Sequence, residues 1–341
     1  MKVTQAEPRA MGGEAIKNKR ILVTGGAGFI GTSLARRLVG SNTLTLLDVG
    51  FDRNAFAFSE LRADTRVKLA EVDILDMSQL ARVAEDAQIV VHAAAVVGVR
   101  EVVENASRTL DVNYIGTSNL LKILSAGSSC ERVVLLSSSE VLGANAFRTP
   151  EDGDCVLPSI RDPRWCYSIS KLATEHLASA YFREKGLPVV LVRPFNVFGP
   201  GRVGDHAVLR FILRALRSQD LEISGDGTQI RSWCYVDDFC DGLLRCLEVE
   251  EAIGGAFNIG NPRNAVTVYE LAKKTVSACG SRSDIVFKSP PFRDIDVRVP
   301  EIALARDVLG FAPRVELEDG LARTIAWVKR HTDVLGPSWA A

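Results

Sequence analysis

The chain has 341 residues, of which 47% are hydrophobic and 24% charged, so it can bury a large core in one domain or in two coupled domains. Its net charge of −1 provides no field that would attract nucleic acid or an anionic membrane. The seven cysteines form no CxxC pair and no cluster with histidine, which favours free thiols in a reducing cytoplasm over disulfides or a metal site. Residues 1–19 are polar, without the apolar run of a signal peptide or membrane span, and we expect a mobile leader there.

Short apolar runs alternate with amphipathic stretches from residue 20 onward. Runs rich in Val, Ile and Leu, each of the length of a buried strand, lie at 20–24, 43–48, 67–72, 89–92, 133–137 and 189–193. Helical patterns lie between them, for example at 30–39 and 112–124. This alternation predicts an α/β fold with a doubly wound parallel sheet. We expect a Rossmann-type domain over 20–195 and a smaller substrate-binding region over 196–335, some segments of which return to the sheet.

The first predicted strand leads directly into a glycine-rich loop. Gly25, Gly28 and Gly31 have the spacing GxxGxxG, which lets the backbone approach a pyrophosphate while the next helix directs its N-terminal amides at that charge. Asp48 ends the second strand 20 residues after Gly28, where a carboxylate binds both ribose hydroxyls and repels a 2′-phosphate. The sequence therefore predicts NAD in preference to NADP. Asp73, after the third strand, is a candidate contact for the adenine amine or a plain surface turn residue.

A tyrosine and a lysine four residues apart, Tyr167 and Lys171, are the main candidates for acid–base chemistry. On a helix this spacing places both side chains on one face, where the ammonium can lower the pKa of the phenol and let the phenolate take up a proton. Such a pair also occurs on ordinary solvated helix faces. Its significance therefore depends on the nearby cofactor loop.

Six segments occur in the order found in one known enzyme family: 25–31, 92–95, 112–113, 137–143, 167–171 and 193–200. Over about residues 20–330 the chain resembles the extended short-chain dehydrogenases/reductases of the nucleotide-sugar epimerase, dehydratase and decarboxylase group. The resemblance implies an NAD domain, a nucleotide-sugar domain closing over it, and a homodimer packed through the helix after Val112 and the helix that carries Tyr167. The cofactor-binding residues that we predict are Gly25, Gly28, Phe29, Ile30, Gly31, Asp48, Asp73, Ile74, Ala93, Ala94, Ala95, Asn113, Tyr167 and Lys171.

Within this resemblance, the segment after the fifth strand is the one that distinguishes the reactions of the group. Ser138 matches the family's Ser or Thr that binds the hydroxyl being oxidised, and with Tyr167 it would hold the 4-hydroxyl of the sugar. Glu140 follows Ser139, as in the decarboxylases of the group, whereas the 4,6-dehydratases have an Asp before the Glu and the 4-epimerases usually lack the Glu. Arg298, in an RxP segment, would lie near the substrate carboxylate or the proton-delivery path, and Glu140 would complete that path with Ser139. The alternatives are a structural role for Glu140 and a diphosphate contact for Arg298.

Substrate-anchoring residues are assigned by the same resemblance. Asn196 and Arg231 match diphosphate-binding residues of the family, and Arg202 adds a cation on that side; the alternative for each Arg is an ordinary surface position. A guanidinium suits phosphate because it donates two parallel hydrogen bonds. Leu142 replaces a Tyr that is common in the family, and we expect Trp165 to pack in the core.

The sequence thus favours NAD-dependent oxidation at carbon 4 of a nucleotide sugar, with UDP-glucuronate as the preferred substrate, followed by decarboxylation to a UDP-4-keto-pentose, UDP-xylose or both. The alternatives, in order, are a nucleotide-sugar 4-epimerase, a dehydratase and a non-catalytic NAD-binding sensor. Ser139 disfavours the dehydratase, and the intact Tyr167 and Lys171 pair disfavours the sensor.

Overall fold

The computed structural model describes residues 16–52, 59–127, 129–289, 294–332 and 335. Its strands are β1 (Arg20–Thr24), β2 (Thr43–Asp48), β3 (Val67–Glu71), β4 (Ile89–His92), β5 (Arg132–Leu136), β6 (Asn145–Thr149), β7 (Val189–Pro194), β8 (Val197–Phe198), β9 (Leu221–Ser224), β10 (Ile230–Ser232), β11 (Cys234–Tyr235), β12 (Ala256–Ile259), β13 (Ala265–Thr267), β14 (Ile285–Lys288) and β15 (Val297–Pro300). Its α-helices are α1 (Phe29–Leu38), α2 (Ser59–Ala63), α3 (Met77–Ala84), α4 (Val99–Glu104), α5 (Ala106–Leu110), α6 (Thr117–Ser125), α7 (Cys166–Lys185), α8 (Ala207–Leu216), α9 (Val236–Glu248), α10 (Val268–Cys279), α11 (Ala303–Leu309) and α12 (Leu317–Arg330).

A seven-stranded parallel sheet forms the centre of the molecule, in the order β12-β7-β5-β4-β1-β2-β3. Strands β4 and β5 are buried along their whole length, which explains why they read as continuous apolar runs rather than as alternating patterns. The strand order reverses direction between β1 and β4. In open α/β sheets, ligands bind at such a switch point, at the carboxyl ends of the strands. The predicted doubly wound α/β class is confirmed.

Both faces of this sheet are covered. Successive strand residues point to opposite faces, so Val23 packs in the cluster that contains α1 and α9, whereas Leu22 packs in the cluster that contains α3, α6 and α7. Strand β12 and helix α9 come from beyond residue 196, and they lie in this layer against β7 and α1 respectively.

A smaller region is built on a four-stranded sheet in the order β13-β10-β15-β6. Strand β6 precedes residue 195 in sequence, yet it pairs in parallel with β15. Each region therefore contains a strand from the other region's part of the sequence, β12 in the central sheet and β6 in the smaller one. Local hydrophobic periodicity does not reveal this arrangement. None of the helices in the described ranges combines the length and apolar character needed to cross a membrane.

The predicted leader is only partly within the described chain, since residues 1–15 lie outside it. Residues 16–19 are anchored to the Rossmann layer. The side-chain amide of Asn42 donates to the Ile16 carbonyl at 3.1 Å, and its oxygen accepts from the Lys19 backbone N–H at 3.0 Å. Ile16 also packs against the core. Residues 16–19 therefore have contacts with the Rossmann layer, and the mobile leader stays a prediction.

Candidate active site

A cavity of about 740 Å³ lies at the switch point of the central sheet and extends toward the smaller region. Tertiary structure brings together at its wall all but one of the residues predicted for the site. These are Gly25, Gly28, Phe29, Ile30, Gly31, Asp48, Asp73, Ile74, Ala93, Ala94, Ala95, Ser138, Ser139, Glu140, Tyr167, Lys171, Asn196, Arg202, Arg231 and Arg298.

The glycine loop after β1 forms a cradle that side chains would fill. Gly25 has φ +70°, and a Cβ there would lie 2.7 Å from the backbone of Ala93 and Ala94. Helix α1 begins directly after Gly28, which offers no side-chain cap, so the first amides of the helix can bind an anion. A carboxylate oxygen of Asp48 accepts a hydrogen bond from the Ala27 N–H at 3.0 Å, which fixes that side chain at the end of β2. The loop, the helix terminus and the carboxylate fit the pyrophosphate and ribose of NAD.

Asn113 is the predicted site residue that does not line the cavity. It is fully buried in a π-helical turn between α5 and α6. Its Oδ1 accepts from the Val96 N–H at 2.8 Å, and its Nδ2 donates to Ser170 Oγ at 3.1 Å. Ser170 Oγ donates in turn to the Tyr167 carbonyl at 2.7 Å. Asn113 therefore ties the loop after β4 to the helix that carries Tyr167, and it supports the cofactor wall from behind.

Tyr167 lies in the cavity wall, hydrogen-bonded to Ser138. Burial raises the pKa of its phenol, and the negative charge of Glu140 raises it further. The hydrogen bond from Ser138 and the positive charge of Arg202 lower that pKa. Ser138 also accepts from the Glu140 N–H at 3.1 Å, so it caps the 3₁₀ turn that follows β5. The Ser138 hydroxyl thus contacts both the phenol of Tyr167 and the backbone of Glu140.

Lys171 lies in the cavity wall with Tyr167. Its Nζ donates to the Leu136 carbonyl at the end of β5, at 2.8 Å. Burial lowers its pKa to about 8, against the opposing effect of Glu175. Here the positive charge that lowers the pKa of Tyr167 belongs to Arg202, whose guanidinium lies 5.6 Å from the centre of the Phe29 ring.

The carboxylate of Glu140 is held from two sides. Its Oε2 accepts from Arg164 Nη1 at 3.4 Å and from Ser168 Oγ at 3.2 Å. Arg298, which is 1% exposed, donates through Nη2 to the Gly143 carbonyl at 2.6 Å. Burial lowers the pKa of Arg298 to about 10; the charge of Glu140 raises it, and those of Arg231 and Arg164 lower it. Glu140 and Arg298 therefore belong to one electrostatic cluster.

Of the two predicted diphosphate contacts, Arg231 lies on β10 and Asn196 lies between β7 and β8. Arg231 Nη2 donates to the Ile295 carbonyl at 2.6 Å and pairs with Asp294 at 3.2 Å. Asn196 has φ +35° and donates from Nδ2 to the Ser232 carbonyl at 3.1 Å. Both side chains are therefore oriented by backbone carbonyls before any ligand binds.

Sequence reasoning missed three polar residues of the cluster: Arg164, Ser168 and Asp294. The only local signal was that Arg164 and Ser168 flank Tyr167 at the start of its helix. Asp294 gave no local signal, because it lies in the segment before β15 and contacts the site only in the folded chain. Trp165 is fully buried against Ala144 and Ile295, which confirms the predicted core position.

The fold and this site define a class: NAD-binding enzymes of the short-chain dehydrogenase/reductase type, in which a helix-borne Tyr and Lys lie beside the dinucleotide cradle. Residues 21–260 match the model of the NAD dependent epimerase/dehydratase family, and the chain belongs to that family, with NAD as its cofactor. The resemblance seen in the sequence is thereby confirmed.

Relatives within the family include decarboxylases and an epimerase. The UDP-N-acetyl-alpha-D-glucosaminuronate decarboxylase of Bacillus cytotoxicus is 33% identical, over 91% of this chain and 98% of its own length. UDP-glucuronic acid decarboxylase 1 of Danio rerio is 31% identical, over 92% of this chain and 74% of its own length. The crystal structure of UDP-glucuronic acid 4-epimerase from Bacillus cereus, with UDP-glucuronic acid and NAD, superposes with a TM-score of 0.85 at 27% identity, covering 91% of this chain and 99% of that chain.

Proposed function

We propose that this protein is an NAD-dependent decarboxylase of a UDP-linked uronic acid, with UDP-glucuronate as the preferred substrate. The observation that best supports this proposal is the environment of Glu140. Its carboxylate pairs with Arg164 and lies beside buried Arg298. These groups line the same cavity as Tyr167 and Ser138. The curated relatives cited above are decarboxylases of UDP-linked uronic acids, which supports the same chemistry.

Each residue of the site has a separate role in the proposed reaction. NAD, when bound, supplies the acceptor for the hydride of sugar carbon 4. Ser138 would orient the 4-hydroxyl, and Tyr167 would take its proton. The resulting β-keto acid loses carbon dioxide readily, because the electron pair of the breaking bond moves into the ketone. Tyr167 and Ser138 can then hold the enolate oxygen, while Glu140 and Ser139 would line the path by which a proton from solvent reaches carbon 5.

Incubation of the purified enzyme with NAD and UDP-glucuronate tests this proposal by mass spectrometry of the nucleotide sugars. We expect loss of carbon dioxide, with the pentose as 4-ketone, as xylose or as both. Tyr167→Phe should lower kcat by about 10²- to 10⁴-fold, which is the usual contribution of a general base, while NAD binding persists. Tyr181→Phe, on the same helix but outside the cavity lining, is the matched control. Absence of any carbon dioxide would overturn the proposal.

A 4-epimerase is the second candidate, because the superposed epimerase structure contains UDP-glucuronic acid and NAD. An epimerase would change the configuration of carbon 4 without changing the mass, whereas a dehydratase would lose water. The same measurement therefore separates the candidates. UDP-N-acetylglucosaminuronate belongs in the substrate panel, because one relative is named for it.

The functional unit in this proposal is a homodimer. Four apolar side chains on α5, the π-helical turn and α7 are 37–45% exposed, namely Leu110, Tyr114, Ile115 and Ile169. By family resemblance, subunits would pack through the helix after Val112 and the helix that carries Tyr167; Tyr114, Ile115 and Ile169 lie there, and Leu110 lies directly before Val112's segment. Covering them with a second copy would remove apolar surface from water.

We also infer a cytoplasmic location. All seven cysteines are free thiols in the structure, including buried Cys234, Cys240 and Cys246. Free thiols persist in reducing compartments, whereas oxidising ones favour disulfides. Fractionation of cells that express the untagged protein checks this inference.

A further inference from the structure

Three buried arginines meet at the Glu140 end of the cavity. Arg164, Arg231 and Arg298 are 3%, 8% and 1% exposed, and all three line the cavity. Arg231 and Arg298 are register partners on the adjacent strands β10 and β15, and Arg164 comes from the turn before α7. Like charges opposite each other on neighbouring strands are destabilising, so the cluster needs anions to be stable.

Two carboxylates of the chain supply part of that charge. Arg164 donates to Glu140 and to Asp294, both at 3.4 Å, and Arg231 pairs with Asp294 at 3.2 Å. These contacts are long compared with the 2.7–2.9 Å typical of charge-assisted hydrogen bonds. Two carboxylates thus hold three guanidiniums loosely.

The donors of the cluster are also incompletely used. Within the described residues, Nε and Nη1 of Arg298 and Nε of Arg164 are buried without a hydrogen-bond partner. A buried charged donor without a partner costs free energy, and an incoming oxyanion that pairs with it recovers that cost. The Arg164 guanidinium also lies 4.9 Å from the centre of the Trp165 ring, which holds it in place at the wall.

We propose that Arg164 is a specificity-determining residue that binds the sugar carboxylate together with Arg298, and that Asp294 is the counter-ion that this carboxylate displaces. The proposal rests on the proposed function and names how the site recognises an acidic sugar. Asp294 is suited to displacement because it is one-third exposed and its contact with Arg164 is long. A neutral sugar such as that of UDP-glucose offers no anion to the cluster, so the site discriminates against it.

The test is the ratio of dissociation constants for UDP-glucose and UDP-glucuronate, measured by calorimetry on the NAD-loaded enzyme in a Tyr167→Phe background that prevents turnover. We expect Arg164→Gln to reduce the preference for UDP-glucuronate by about 10- to 100-fold, the cost of a hydrogen bond to a charged group. Binding of UDP alone should not change, and Arg164→Lys should restore part of the preference. Arg161→Gln, the same change at an exposed position of the same loop, should leave the ratio intact.

Asp294→Asn provides a second, independent variant if Arg164→Gln does not fold. Removing the counter-ion should tighten UDP-glucuronate binding more than UDP-glucose binding. Asp284→Asn, an exposed carboxylate directly before β14, is its control. An unchanged ratio in Arg164→Gln, or weaker UDP-glucuronate binding in Asp294→Asn, overturns the proposal.

The binding measurement is separate from the test of the reaction. A wild-type enzyme that prefers UDP-glucuronate but releases no carbon dioxide would contradict the proposed decarboxylation and still permit the test of Arg164. An enzyme that releases carbon dioxide while Arg164→Gln keeps the full preference would contradict only the role of Arg164.

Discussion

Tyr167 is surrounded by groups that act on its phenol in opposite directions. Burial and the carboxylate of Glu140 raise its pKa, while Ser138 and Arg202 lower it. The phenolate is the form that takes a proton, so activity should rise with pH through this pKa. In the proposed mechanism, the carboxylate assigned to the later proton-delivery path therefore opposes the first step.

We expect Glu140→Gln to move the acid limb of the kcat/KM profile for NAD reduction to lower pH, because it removes a negative charge beside the phenol. Arg202→Gln should move the limb to higher pH, because it removes the positive charge that favours the phenolate. Stopped-flow absorbance of NADH across pH measures both limbs. Arg161→Gln is the control, and movement of both limbs in one direction would contradict this account.

Local motifs revealed the residues whose chemistry depends on neighbours in sequence. The glycine spacing, Asp48 and the Tyr167 and Lys171 pair fall in this class, because a strand, a turn or one helix turn fixes their geometry. The partner of Lys171 could not be found in this way. It is the Leu136 carbonyl, 35 residues away in sequence, and only the packing of α7 against β5 makes that hydrogen bond.

At the scale of elements, a buried ion pair holds helix α7 against the sheet. Arg193 on β7 donates two hydrogen bonds to Glu175 on α7, at 2.9 and 2.7 Å, and both side chains are less than 10% exposed. Arg193 also donates to the Glu151 carbonyl at 3.0 Å. The pair therefore fixes α7, and with it Tyr167, relative to the carboxyl edge of the sheet.

Glu175→Gln should destabilise the fold by about 3 kcal/mol, because it leaves a buried guanidinium without its counter-charge. Urea denaturation of the two proteins measures this difference. Glu104→Gln breaks the exposed pair between Arg100 and Glu104 on α4 and should cost less than about 1 kcal/mol. Equal effects of the two changes would show that burial of the ion pair does not set its contribution.

For the whole molecule, we expect the exposed apolar group on α5, the π-helical turn and α7 to be covered by a second subunit. Ile115→Asp or Ile169→Asp would place a charge in that interface and should convert the dimer to a monomer, because an unpaired charge is costly to bury. Sedimentation velocity measures the change. Ile160→Asp, at a 90% exposed position in a different loop, should leave the assembly unchanged. A wild-type monomer would contradict the dimer.

The sequence alone determined the fold class, the cofactor cradle and the Tyr167 and Lys171 pair, because each depends on periodicity or spacing within about one strand–helix unit. Tertiary structure decided the rest. It placed β6 in the second sheet, put Asn113 behind the cavity wall, and joined Arg164, Asp294 and Arg298 around Glu140. Those contacts join residues at least 17 positions apart in sequence, and long-range packing carries no signature in local pattern. The proposed roles of Arg164 and Asp294 in recognising an acidic sugar therefore became visible only in the folded chain.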